Sequence, residues 1–238
     1  MPLIRGGRPL KSWTYVGAYG PDVMLCATRG RIGVAPFAWW AVWDRRAGEL
    51  TQGRRGVSVS AGRVAVRGVF ELTVGPGRAI EAVCPNGRQY AWTRKHAADA
   101  RGTVAGQPVE LRAIVDESAG YHARHTAWCW SAGVGFAAGG AAVAWNLVAG
   151  LNDPPTGSER AVWVAGEPRE VPPVTFAADL SAVAGLRFTA EAALARRQNL
   201  GLVRSDYEQP FGTFTGELPD GPLLREGWGV MERHEVYW

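Results

Sequence analysis

The sequence predicts an all-β protein: two antiparallel barrels or half-barrels in tandem, with few short helices. Three observations predict it. Runs rich in Val, Trp, Tyr, Phe and Thr recur between Gly, Pro, Asn or Asp, the pattern of a meandering antiparallel sheet. Long helical periodicity is almost absent. The runs also outnumber the strands of one small barrel, because eight strands with their loops occupy on the order of 80–100 residues and this chain has 238.

In chain order, strands are expected at 12–19, 23–32, 37–43, 49–52, 63–66, 69–74, 79–84 and 89–94. A weaker stretch, 95–106, is the expected seam. It divides an N-terminal half, 1–105, from a C-terminal half, 106–238, that carries the candidate site. The pattern resumes at 109–116, 126–135, 141–148, 160–164, 167–171, 174–176, 186–191, 200–205, 211–218 and 227–238. Short helical candidates are 95–100, 179–183 and 192–197. The uncharged run 134–151 has the length of a membrane span. However, Gly139-Gly140 separates two alternating runs within it, so it reads as a hairpin.

Net charge is +4, almost wholly from arginine. The arginines fall singly or in pairs, such as Arg45-Arg46, Arg54-Arg55 and Arg196-Arg197. A nucleic-acid surface needs clustered charge along one face, so the pairs read as solvated strand faces and no nucleic-acid partner is expected. Cys26, Cys84 and Cys129 are odd in number and without metal-type spacing. Met1-Pro2-Leu3-Ile4-Arg5 leads into polar sequence without the order of a secretory signal. The expected compartment is the cytoplasm, without stable membrane insertion.

Eleven tryptophans are many for this length. Residues two apart share a strand face, so Trp13, Tyr15 and Tyr19 project together, as do Phe37, Trp39 and Trp43, and Trp128 with Trp130. Two readings stand. The rings are core and contact between the halves, or they line a cavity of the kind an eight-stranded barrel can enclose.

Four segments are more specific than composition: Gly120-Tyr-His-Ala-Arg-His-Thr-Ala-Trp128, the run from Ala144 to Arg160 containing Asn152-Asp-Pro-Pro-Thr-Gly-Ser158, Val203-Arg-Ser-Asp-Tyr-Glu-Gln-Pro-Phe-Gly-Thr-Phe214, and Gly229-Val-Met-Glu-Arg-His-Glu-Val-Tyr-Trp238. With Lys11-Ser-Trp-Thr-Tyr-Val-Gly17 and Trp92-Thr-Arg-Lys95 they resemble the bacterial family called domain of unknown function 2804 (DUF2804) over essentially the whole chain. That family brings no assigned activity. In layout it is similar to tandem lipocalin-like proteins, among them carotenoid hydratases and cofactor-free cyclases. The resemblance implies two lipocalin-like half-barrels and carries over no catalytic residue.

Motifs for phosphate loops, nucleophile elbows and HExxH zinc sites are absent. Gly133-Val-Gly135 lacks a following helix, so it is no dinucleotide fingerprint. His122 and His125 are three apart, on opposite faces of a strand unless a turn brings them together. No metal and no cofactor are expected. The better signal is polar residues on apolar strand faces. One face of the last strand reads Trp228, Val230, Glu232, His234, Val236, Trp238. A buried charge must be paired or meet a ligand, so Glu232 and His234 are either a structural ion pair or an acid/base pair. Glu159 shares its face with Ala161 and Trp163. The acid/base candidates are therefore His234, Glu232, His122, His125 and Glu159. The candidate ligand wall is Trp128, Trp130, Asn146, Tyr207 and Gln209. The cysteines read as inert.

Three functions follow as expectations. The first is a cofactor-independent hydratase, isomerase or cyclase acting on a small, mostly apolar or amphipathic molecule. The second is a carrier of such a molecule without turnover, and the third is a scaffold. Oligomeric state is left open.

Overall fold

In the computed structural model all residues but Ala61, Leu200 and Leu202 are described. A short ribbon, β1 (Ile4–Arg5) and β2 (Arg8–Pro9), opens the chain. The first main sheet contains β3 (Lys11–Tyr19), β4 (Val23–Ile32), β5 (Ala35–Asp44), β6 (Glu49–Gly53), β7 (Val57–Ser60), β8 (Arg63–Val66), β9 (Phe70–Val74), β10 (Ala79–Asn86), β11 (Gln89–Val104) and β12 (Gln107–Gly120). Its order is β6-β5-β4-β3-β12-β11-β9-β8-β7, with β10 also on β11. The second contains β13 (His125–Ala137), β14 (Ala142–Ala149), β15 (Ala161–Val164), β16 (Glu167–Glu170), β17 (Ala182–Val183), β18 (Leu186–Asn199), β19 (Arg204–Glu217) and β20 (Leu223–Tyr237). Its order is β16-β15-β14-β13-β20-β19-β18-β17. Every pairing is antiparallel and neither sheet closes, so the tandem lipocalin-like units are half-barrels.

Among the described residues there is no helix, which corrects the three helical candidates. Residues 95–100 lie inside β11, 192–197 inside β18, and 179–183 run through a turn into β17. The alanines that favour a helix are small enough to serve both faces of a sheet buried on two sides. Ala97 packs between the sheets while Ala98 and Ala100 pack into the first half, and tertiary burial overrides a weak propensity. The run 134–151 is a hairpin joining β13 to β14. The expected strand at 174–176 is reduced to a single bridge, Phe176 to Val183. Part of the one at 200–205 lies outside the described residues.

The seam placed at 95–106 is the β11–β12 hairpin itself. Ala105 and Gly106 turn it with φ of 49° and 78°, the paired positive angles of a type I′ turn. The chain passes from one sheet to the other at 121–124, between β12 and β13.

Alternation gives each sheet two apolar faces. One face of the first sheet curls over its own core, where Val16, Leu25, Val64 and Leu72 meet, and Trp40 clasps the curl by donating to the Arg55 carbonyl at 3.2 Å. The second sheet does the same with Trp145, Leu147, Phe188 and Phe214. Trp145 lies so close to β13 that a Cβ on Gly133 would stand 2.2 Å from its ring. The remaining faces pack against each other through Tyr15, Tyr19, Met24, Trp130, Val134 and Trp228. Trp43 and Arg45 of the first half hold Glu191 of the second, at 2.9 and 2.7 Å.

No helix of the described residues is long and apolar enough to cross a membrane.

Candidate functional site

Between the two sheets lies a cavity of about 650 Å³, within the size range of small-molecule sites. It corrects the expectation of a hollow inside one barrel: each half fills its own interior, and the space left over lies where the halves meet. It also draws on both halves, not on the C-terminal one alone. Trp13, Tyr15, Phe37 and Trp39 come from the first sheet, Trp128, Trp130 and Tyr207 from the second, and Trp238 from just past β20.

Register sets the wall. Directly opposed residues of antiparallel strands share a face. In the first sheet Trp39, Thr28, Tyr15, Asp116 and Lys95 form one cross-strand row. In the second, Trp128, His234, Tyr207 and Arg196 form another, with Trp130 opposite Glu232 in the adjoining row. Tyr15 meets Trp130 edge-on at 5.1 Å, and Trp39 meets Tyr207 at 5.4 Å.

Glu232 is buried and receives three donors. Trp128 Nε1 donates to Oε1 at 2.8 Å, while Tyr207 Oη and Gln209 Nε2 donate to Oε2 at 2.9 and 3.3 Å. Burial pushes its pKa up to about 7, against the opposing pull of the Tyr207 and Trp128 hydrogen bonds. A carboxylate accepts at about four lone-pair positions, so one remains for the cavity. The arrangement suits a group that takes or gives a proton near neutrality.

His234 also lines the cavity, but it does not bond Glu232, which corrects the expected pairing of the two. Its Nε2 shares a 2.8 Å hydrogen bond with Ser205, and its ring lies between Trp128 and Tyr207. Burial lowers its pKa to about 4, so the ring is neutral at neutral pH.

A second polar centre contains the sequence candidate Glu159, with partners the sequence did not single out. Lys95 of β11 is fully buried and pairs with Asp116 of β12 and, at 3.3 Å, with Glu159 of the second half. Asn152 Nδ2 donates to the same Glu159 oxygen at 3.0 Å. All four line the cavity. Burial raises the Glu159 pKa, opposed by Lys95 and assisted by Asp116. Burial draws Lys95 down, but the two carboxylates outweigh it and hold its pKa above the ordinary value. Two carboxyls around one ammonium favour keeping a proton on Glu159.

The other sequence candidates fall outside the wall. Asn146 accepts from Trp130 Nε1 at 2.9 Å and donates to the Glu159 carbonyl, bracing both. Gln209 lies behind Glu232, between Tyr15 and Cys26. His122 is buried between Trp13 and Trp238, both ring nitrogens without a hydrogen-bond partner among the described residues, its pKa lowered to about 3 by burial. His125 is exposed, paired with Glu235 at 2.8 Å and stacked on Tyr237. The turn at 121–124 therefore sends the two histidines apart. Burial raises the thiol pKa of Cys26 and Cys84 to about 12.

Two solved structures share this fold across almost the whole chain. One is a protein described as AttH from Nitrosomonas europaea, 13% identical, covering 94% of this chain and 91% of its own, with a TM-score of 0.51. The other is kievitone hydratase from Nectria haematococca, 12% identical, covering 94% and 88%, with a TM-score of 0.53. No curated protein sequence matches the chain. Residues 52–238 match the family model described as a domain of unknown function, DUF2804. By that match, which covers the whole second half-barrel and the first from the end of β6 onward, the chain belongs to the DUF2804 family.

Proposed function

We propose that the cavity between the halves binds a small, mostly apolar molecule and that Glu232 moves a proton to or from it, as a cofactor-independent hydratase, isomerase or cyclase would. One observation carries the reading: a carboxyl buried among aromatic rings, held by three neutral donors, titrates near neutrality and faces a hollow. Burying such a group is unfavourable for folding alone. Its raised pKa matches the requirement for efficient proton transfer at working pH, and the surrounding indoles and phenols suit developing positive charge on carbon. The fold shared with kievitone hydratase is compatible with this chemistry.

Two measurements test it. N-phenyl-1-naphthylamine, an uncharged probe, should bind and quench tryptophan emission, and Val148→Trp, which fills the cavity, should abolish that binding. Absence of binding by the unaltered protein would overturn the reading. A ligand recovered by native mass spectrometry is then incubated in heavy water: the protein should introduce deuterium and Glu232→Gln should stop this while retaining the ligand. Undiminished exchange in the variant would remove Glu232 from the chemistry. Binding with no exchange in either protein would favour the carrier reading.

A further inference from the structure

The cavity is electrically lopsided. Its inner end holds Glu232, Asp116 and Glu159, all buried, with Lys95 already shared between two of them. Its outer end holds two arginines, one from each half: Arg54, exposed just after β6, and Arg196, half-buried in β18. Neither makes an ion pair among the described residues. The chain neighbour of Arg196 differs: Arg197 pairs with Asp206 at 2.9 Å. Period-two alternation sends Arg197 to solvent and turns Arg196 to the cavity side, in the row of Tyr207 and His234.

Arg196 is also held in place. Its guanidinium lies 6.0 Å from the ring centre of Trp39 and donates to Gln52 Oε1 at 3.1 Å. A guanidinium has five N–H donors, and among the described residues one of them is used, toward Gln52. The neighbouring charge of Arg54 acts against that of Arg196. Two like charges converging from separate halves repel each other, and an anion lying between them relieves the repulsion.

Resting on the reading of the cavity as a ligand site, we infer that its ligand is an amphipathic anion, whose oxyanion sits between Arg54 and Arg196 at the opening while its apolar body passes over Trp39 toward Glu232. The reverse orientation would set an anion against the inner carboxyls. A cationic head would meet the two arginines. The charge distribution therefore selects both the ligand's sign and its direction of entry, and delivers the apolar end to the proton-transfer group.

The test uses a matched pair, 11-(dansylamino)undecanoic acid and its methyl ester, titrated by fluorescence into the intact protein and into Arg54→Gln, Arg196→Gln and the double variant. Charge-assisted hydrogen bonds at a partly exposed site predict about tenfold tighter binding of the acid than of the ester. The double variant should bring the acid down to the ester's affinity and leave the ester's unchanged, with the circular dichroism of the fold retained. Equal binding of acid and ester by the unaltered protein would overturn the inference while leaving the cavity reading intact. So would an acid preference that survives in the double variant. Failure of both probes to bind would overturn both. Competition by decanoate and by decyl phosphate then distinguishes carboxylate from phosphate, and displacement by neither would also overturn the inference.

Discussion

Replacing Glu232 with glutamine should make the protein more stable above neutrality and less stable in acid. Folding raises the Glu232 pKa from 4.5 to about 7. The native state therefore holds a proton that the unfolded chain releases, and stability falls as pH rises between those values. The contribution is complete below the unfolded value and lost as pH passes about 7. A displacement of that size corresponds to roughly 3 kcal/mol, and the side chain is too buried for solvent screening to reduce it. Glutamine keeps the shape and discards the charge. It offers one acceptor oxygen where the carboxylate offers two, so one of the donors from Trp128, Tyr207 and Gln209 is mispaired, at about 1 kcal/mol. The variant should thus be more stable by about 2 kcal/mol near pH 8 and less stable by about 1 kcal/mol near pH 4. For a chain of this length the former is a rise in melting temperature of roughly 4–8 °C. Thermal melts of both proteins across this range, followed by circular dichroism, supply the difference, in which every other titrating group cancels. A difference of constant sign and size would refute the environment assigned to Glu232.

Two further outcomes are expected. Lys95→Met strands Asp116 and Glu159 without their cation and should destabilise by about 3–5 kcal/mol. Adding Asp116→Asn and Glu159→Gln should restore most of this in urea titrations, and a loss below about 1 kcal/mol in the single variant would contradict the triad's burial. His122→Phe removes an imidazole whose nitrogens have no hydrogen-bond partner among the described residues and should stabilise by about 1 kcal/mol at neutral pH. Because burial lowers the His122 pKa from 6.5 to about 3, stability is lost as pH falls through that window. The variant's advantage should therefore grow by about 1.4 kcal/mol per pH unit in acid, and melts showing no such growth would count against it.

Strands and faces were legible because a period of two is local. Trp128, Glu232 and His234 were placed on the correct side by alternation alone, and Gly139-Gly140 betrayed its hairpin. What alternation cannot say is which face meets which core, since both faces of these sheets are buried. The cavity was therefore expected inside a half-barrel instead of between two. Lys95 escaped notice for a related reason: it sits in an alanine-rich stretch that reads as helix, and its partners Asp116 and Glu159 reach it only through the β11–β12 hairpin and the packing of the sheets. The pairing imagined for Glu232 and His234 failed because each had a nearer companion on β19, Tyr207 and Ser205. Arg196 resembled its exposed neighbour until the register assigned them to opposite sides.

A hollow located at a junction, with a separate filled interior on either flank, frees its lining from the task of holding either flank together. Residues such as Ala35, Val148 and Val203 can change size, and reshape the space for a different guest, while Leu25, Leu72, Leu147 and Phe214 keep their neighbours. Evolution can then refit the vestibule and leave both rooms standing.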